Sequence, residues 1–266
     1  MFEAYFLDSR LGRIFCTGAR QSENRRKGRM LILAPFGEEM NKSRHVLSAL
    51  VRQFDDAGFD VILPDLFGTG DSEGDFGDAT IDVWRADIDS AIAHLQGDAP
   101  VMVVGMRAGA LLAVDAAKRH AFDTLTLIHP VADGRQLVNQ LLRLRLAGGL
   151  MGSKNSETAA ELRQRLAAGE ALEIAGYRIS AALAAGLEAL SLSATDARPA
   201  RRVNWLELVA ESGRPLMPVS ERVIAGWREA GTDVNAETVV CDSFWATQEI
   251  AQCPRLVDRV AALMSN

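Results

Sequence analysis

A chain of 266 residues is long enough to bury one large core, and its composition, 48% hydrophobic and 24% charged with 22 glycines and 8 prolines, excludes a disordered chain. A formal net charge of −6 argues against general nucleic-acid binding, which needs a basic footprint to neutralise phosphates.

In chain order, Ala4 to Thr17 alternates weakly about a Ser-Arg-Leu-Gly turn and predicts an antiparallel hairpin at a sheet edge. QSENRRKGR reads as a polar loop. MLILAP, residues 30–35, is a short continuous apolar run of the kind buried on both faces of a parallel sheet. The following FGEEMNKSRHVLSALVRQFDDAGF places Val46, Leu47, Leu50, Val51 and Phe54 at helical spacing, with Gly58 as a stop. DVILPD, residues 60–65, is the next strand. LFGTGDSEGDFGD is a glycine- and aspartate-rich loop, and IDVWRADIDSAIAHLQG a helix ended by Gly97.

VMVVG, residues 101–105, is a third buried strand that turns through MRAG into an Ala/Leu-rich helix, and TLTLIHP, 124–130, is a fourth. Strands alternating with helices at this rhythm predict a mostly parallel central sheet flanked by helices. From Val131 to about Arg202 the sequence is helix-like throughout, as in an insertion over a pocket. VNWLELVAE then resumes the sheet, PVSERVIAGWREAG is a helix, ETVVCD is a final strand, and a closing helix starts at Pro254. The expected division is a core over 1–132, a helical lid over 133–202 and the second part of the core over 203–266.

The three cysteines, Cys16, Cys241 and Cys253, are an odd number at unrelated spacings and suggest neither a disulfide framework nor a zinc site. That usage fits a reducing cytoplasm. The beginning of the chain carries no basic segment followed by a long apolar one, and no apolar run reaches membrane-spanning length. The expectation is a cytoplasmic protein that does not span a membrane, with neither a cofactor nor a metal.

Three stretches carry a resemblance. LILAPFGEE resembles the first strand and oxyanion loop of the α/β-hydrolases, DVILPDLFGTGDSEG resembles their Pro-Asp-x-x-Gly-x-Gly-x-Ser loop, and VVGMRAGAL resembles their nucleophile elbow. PFGEEMNKSRH, GYRISAALAAGLEAL and FWATQEIAQCPRL look like the family called exosortase A system-associated hydrolase 2, whose "hydrolase" label comes from fold similarity. The resemblance implies an α/β-hydrolase-like fold with a helical lid, and a place beside exopolysaccharide and protein-sorting genes, with a partner in such a system.

The catalytic positions that the fold would use are substituted. An elbow of the form G-x-S-x-G carries a serine nucleophile, and here Gly105 and Gly109 bracket Arg107, which cannot attack at neutral pH. LVAESGRPLMP puts Arg214 where the acid belongs, or Glu211 if the strand ends earlier. The region of the base reads CDSFWATQEI, and the four histidines, His45, His94, His120 and His129, all precede the lid. Losing nucleophile and base together removes the covalent route rather than slowing it.

Arg107 then has two readings. It pairs with Glu38 or Glu39 as a buried guanidinium must, or it recognises an anion at the start of a helix, and a ligand bridging the pair allows both. The candidate ligand site comprises Arg107, Ala108, Phe36, Gly37, Asn41, Phe244 and Trp245, for an anionic acyl or sugar-phosphate ligand. The alternative is a hydrolase or acyltransferase with Glu38, Glu39 or His129 as a general base. Asp65 and Asp71 fix the glycine loop, and Cys241 is a small core residue. The lid leucines, LLRLRLAGGL above all, are core between lid and sheet, an acyl-chain lining or a partner surface.

Overall fold

Alternation decides how the strands are buried. In β3 (Gly28–Leu33), Leu31 and Leu33 join one apolar cluster while Met30 and Ile32 join another on the opposite face of the sheet. In the computed structural model, which describes residues 2–22, 26–95, 97, 101–149, 157–193, 198–247, 249 and 251–264, eight strands form this sheet. The others are β1 (Phe2–Ser9), β2 (Gly12–Ala19), β4 (Phe59–Pro64), β5 (Val101–Met106), β6 (Phe122–Ile128), β9 (Arg202–Val209) and β10 (Asp233–Val240). Their order is β1-β2-β4-β3-β5-β6-β9-β10. The β1–β2 and β2–β4 pairs are antiparallel and the rest parallel, so the expected edge hairpin and parallel centre are both present.

Helices α1 (Glu38–Ala57) and α8 (Pro254–Met264) cover the face carrying Met30 and Ile32. α2 (Ile81–His94), α3 (Ala108–Ala116) and α7 (Pro218–Glu229) cover the other. Each end has a local cause. Gly58 closes α1 in the left-handed region at φ 91°, Thr80 accepts a hydrogen bond from the N–H of Val83 to open α2, and Pro218 and Pro254 occupy first turns where no intrahelical N–H is missed. Every residue of α3 is buried, as its apolar composition requires.

Between β6 and β9 lie α4 (Gly134–Gly149), α5 (Ala159–Ala167) and α6 (Ala181–Glu188). A Thr158–Glu161 capping box opens α5 and Ser180 caps α6. The uniformly helical expectation here needs correction. Leu172–Ile174 and Tyr177–Ile179 are short strands, β7 and β8, paired as a hairpin across Ala175 and Gly176, both at positive φ. Residues 23–25 of the polar loop and Leu150, which ends the LLRLRLAGGL stretch, lie outside the described residues.

A second correction concerns the cysteines. The end of β10 and the start of α8 bring the Cα atoms of Cys241 and Cys253 to 6.2 Å, within disulfide range, and the two are bonded while Cys16 is free and buried. The cytoplasmic expectation therefore loses its cysteine argument. Among the described residues no helix is long and apolar enough to cross a membrane, and no group of three or more His, Cys, Asp or Glu could hold a metal ion.

Candidate functional site

The turn between β5 and α3 is made by packing. A Cβ at Gly109 would lie 2.1 Å from the carbonyl oxygen of Leu33, and one at Gly105 2.8 Å from Ala110, so only glycine lets α3 sit against the end of β3. Arg107 stands at the tip with φ 54° and ψ −117°, a strained conformation for a residue with a Cβ. Its N–H donates to Ile128 O, and its carbonyl accepts from Ala110 N–H.

Three of the five guanidinium N–H groups are held by neighbours. Nη2 donates to Glu39 Oε1 at 2.9 Å, Nε to Glu39 Oε2 at 3.2 Å, and Nη1 to the His129 carbonyl at 3.3 Å. Its other side lies 4.9 Å from the centre of the Trp245 ring, a cation–π contact. Arg107 thus pairs with Glu39 of the two glutamates considered, and its side chain is only 9% exposed. His129 completes the cluster, its ring 4.7 Å from that of Trp245.

His129 is itself at positive φ, 41°. Its Nδ1 accepts a hydrogen bond from Leu208 N–H, and burial, followed by the nearby Arg107 charge, pulls its pKa down to about 4. It is neutral at pH 7 and its Nδ1 lone pair is occupied. As a general base it would have little to offer.

Above this cluster is a cavity of about 530 Å³. Phe36, Gly37, Glu38, Glu39 and Lys42 line it from the end of β3 and the start of α1, with Ala108 and Trp245 from the elbow and the loop after β10. Leu137, Gln140, Leu141 and Leu144 line it from one face of α4, and Ile174, Tyr177 and Ile179 from the β7–β8 hairpin. Three of the expected ligand residues lie elsewhere. Arg107 does not line the cavity, because Glu39 and Trp245 hold it behind the wall. Phe244 is wholly buried against Trp245, and Asn41, exposed and outside the lining, donates to Oη of the lining residue Tyr177 at 2.9 Å.

Lys42 belongs to the GEEMNKSR run, whose Glu38, Glu39, Asn41, Lys42 and Arg44 the sequence puts either at the ligand-binding edge of the sheet or on a solvated helix start, without singling it out as a ligand residue. It is half-buried, lines the cavity one turn after Glu38, and has no hydrogen-bond or ion-pair partner among the described residues. The helical spacing of Glu38 and Lys42 was visible in GEEMNKSR, but which way that face looks was not. Elsewhere Asp65 accepts from Arg44 Nη2 at 2.7 Å and from Asp71 N–H at 3.0 Å, a structural use of the glycine loop. Arg214 and Glu211, the two residues that the sequence offers for the acid position, form an exposed pair at 3.7 Å. His45 is exposed on α1.

The strand order, the glycine-bracketed elbow and the cavity at the carboxyl ends of β3 and β5 define an α/β-hydrolase fold. The family model of serine aminopeptidase S33 matches residues 24–171, and the chain belongs to that family. Est1E from Butyrivibrio proteoclasticus, solved with ferulic acid, is similar at 14% identity over 98% of both chains, with a TM-score of 0.67. Alpha/beta hydrolase domain-containing protein 10 from mouse is 16% identical over 99% of this chain and 98% of its own, TM-score 0.61. A carboxyl esterase from Bacillus coagulans is 12% identical over 99% and 98%, TM-score 0.60. At these identities the likeness is one of fold. No curated protein matches the chain by sequence.

Proposed function

We propose that the protein binds an anionic acyl ligand in the cavity, beneath a helical lid formed by residues 133–202, and does not carry out serine-hydrolase chemistry. One observation carries this reading: among the described residues, the cavity lining includes no serine, cysteine or histidine, while most of its wall is apolar. The degenerate triad is part of the same proposal. Arg107 takes the nucleophile's place, Trp245 lies in the stretch where the base belongs, and the two stack on each other.

The lining also favours an acyl chain over a sugar phosphate. Leu137, Leu141, Leu144, Ile174 and Ile179 offer no side-chain partner to sugar hydroxyls, and among the described lining residues Gln140 and Tyr177 are the only neutral polar side chains, too few to replace the hydrogen bonds to water that a sugar would lose on entering. The acid–base alternative at Glu38, Glu39 or His129 has less support, because Glu38 is exposed, Glu39 is tied to Arg107, and His129 is a weak base with its pKa pulled down to about 4 and its Nδ1 lone pair occupied. The resemblance of three stretches to the exosortase-associated family supports a role, with a partner, in polysaccharide export or protein sorting.

The test combines a fluorophosphonate probe, 4-nitrophenyl esters from butanoate to decanoate, and thermal unfolding in the presence of the matching carboxylates and alcohols. The expected result is no stoichiometric labelling, no burst of 4-nitrophenolate, and stabilisation that grows with chain length. Stoichiometric labelling of a serine in the folded protein, lost on heating, would overturn the reading.

A further inference from the structure

We propose that Lys42 is the cavity's anion anchor and that the ligand is therefore an unesterified, singly charged carboxylic acid with an apolar chain. This rests on the reading of the cavity as an acyl-binding site and goes further by naming the group recognised and the residue that recognises it.

The lining carries a short inventory of charges. Among the described residues three charged side chains line the cavity, all from the first turns of α1: Glu38, Glu39 and Lys42. Glu39 is neutralised by the two-pronged contact with Arg107, which does not itself line the cavity and gives three of its five N–H donors to Glu39 and the His129 carbonyl. Glu38 is exposed, so water screens its charge. Lys42 is half-buried and unpartnered among the described residues. An ammonium beside apolar surface gains most from a counter-ion that arrives with an apolar body.

That inventory discriminates among ligand classes. An ester, an amide or an alcohol would leave the Lys42 ammonium without a counter-ion. A phosphate monoester would bring a second negative charge next to Glu38 and Glu39, with Lys42 as the one unpaired cation among the described lining residues to meet it. A carboxylate matches the single charge, and its alkyl chain has Leu137, Leu141 and Leu144 to lie along, which share one face of α4.

The experiment measures binding of decanoate, 1-decanol and decyl phosphate by isothermal titration at low salt, to the wild type, Lys42→Met and Lys42→Arg. Lys42 is half-exposed and unbonded, so both variants should fold, and thermal unfolding without ligand confirms it. The expected result is that the wild type prefers decanoate to decanol by about tenfold, the scale of one charge-assisted contact. Lys42→Met should lose that preference while still binding decanol, Lys42→Arg should keep most of it, and added salt should shrink it.

A wild type that does not distinguish decanoate from decanol, or that binds decyl phosphate more tightly than decanoate, overturns the assignment while leaving the acyl-binding reading intact. A Lys42→Met variant that still prefers decanoate tenfold overturns it in favour of another cation. If no alkyl ligand binds, the acyl-binding reading falls, and this proposal with it.

Discussion

Lowering the pH should unfold this protein in part through His129. Its folded pKa of about 4 lies below the ordinary 6.5, so between those values the unfolded chain holds a proton that the folded one refuses. The sign follows: the stabilising contribution is complete above pH 6.5 and is lost as the pH falls through about 4. The gap corresponds to about 3 kcal/mol in full, of which about 2 kcal/mol is gone by pH 5. The assay is urea unfolding at intervals from pH 7.5 to 4.5, on the wild type and on His129→Asn. Asparagine tolerates the positive φ of 41°, and its side-chain oxygen can accept the Leu208 N–H, so the variant removes the titration while keeping the backbone. Between pH 7 and 5 the wild type should lose about 2 kcal/mol more than the variant. Parallel losses would show that the imidazole is not held neutral against Arg107, and the account of the site would fail with it.

Replacing Arg107 by alanine should destabilise by about 2 kcal/mol, below the cost of breaking a fully buried pair because Glu39 is 27% exposed and can rehydrate. Arg107→Gly loses the same pair but relaxes the backbone at φ 54°, so it should be about 1 kcal/mol more stable than Arg107→Ala by urea midpoint. Gly109→Ala meets the Leu33 carbonyl at 2.1 Å and should lower stability by about 3 kcal/mol or more, read by thermal unfolding or by loss of soluble protein.

The sheet could be read from the chain because its central strands are short apolar runs closed by turn residues, and MLILAP, DVILPD, VMVVG and TLTLIHP each fall on a strand. The β7–β8 hairpin escaped that reading for a specific reason. Its strands are three residues each, and its turn is Ala175-Gly176 at φ 49° and 83°, without the Asn or Asp that usually announces such a turn. At the site, the pairing of Arg107 with a glutamate followed from the need of a buried guanidinium for a counter-charge. Its exclusion from the cavity did not, because that depends on Trp245 arriving from a loop 138 residues further on (245 − 107) to close its other side. GEEMNKSR places Lys42 with Glu38, Glu39, Asn41 and Arg44 at the ligand-binding edge of the sheet or on a solvated helix start, and does not single it out, because helical spacing says which residues share a face and tertiary packing alone says what the face looks at.

The cluster around Arg107 has a consequence for folding order. The partners Arg107 and Glu39 are 68 residues apart, and Asn204 of β9 meets Thr126 of β6 across 78. Hairpin β1–β2 and the neighbouring β5–β6 and β9–β10 units close over shorter distances, so the sheet has local pieces joined along longer seams. Glu39, Arg107, His129 and Trp245 follow β3, β5, β6 and β10, which places one member of the cluster on each side of those seams. The stack of arginine and tryptophan can therefore assemble only after the seams have shut. Interactions made that late leave the rate of folding almost untouched and act on the rate of unfolding, making this cluster a catch on the finished molecule.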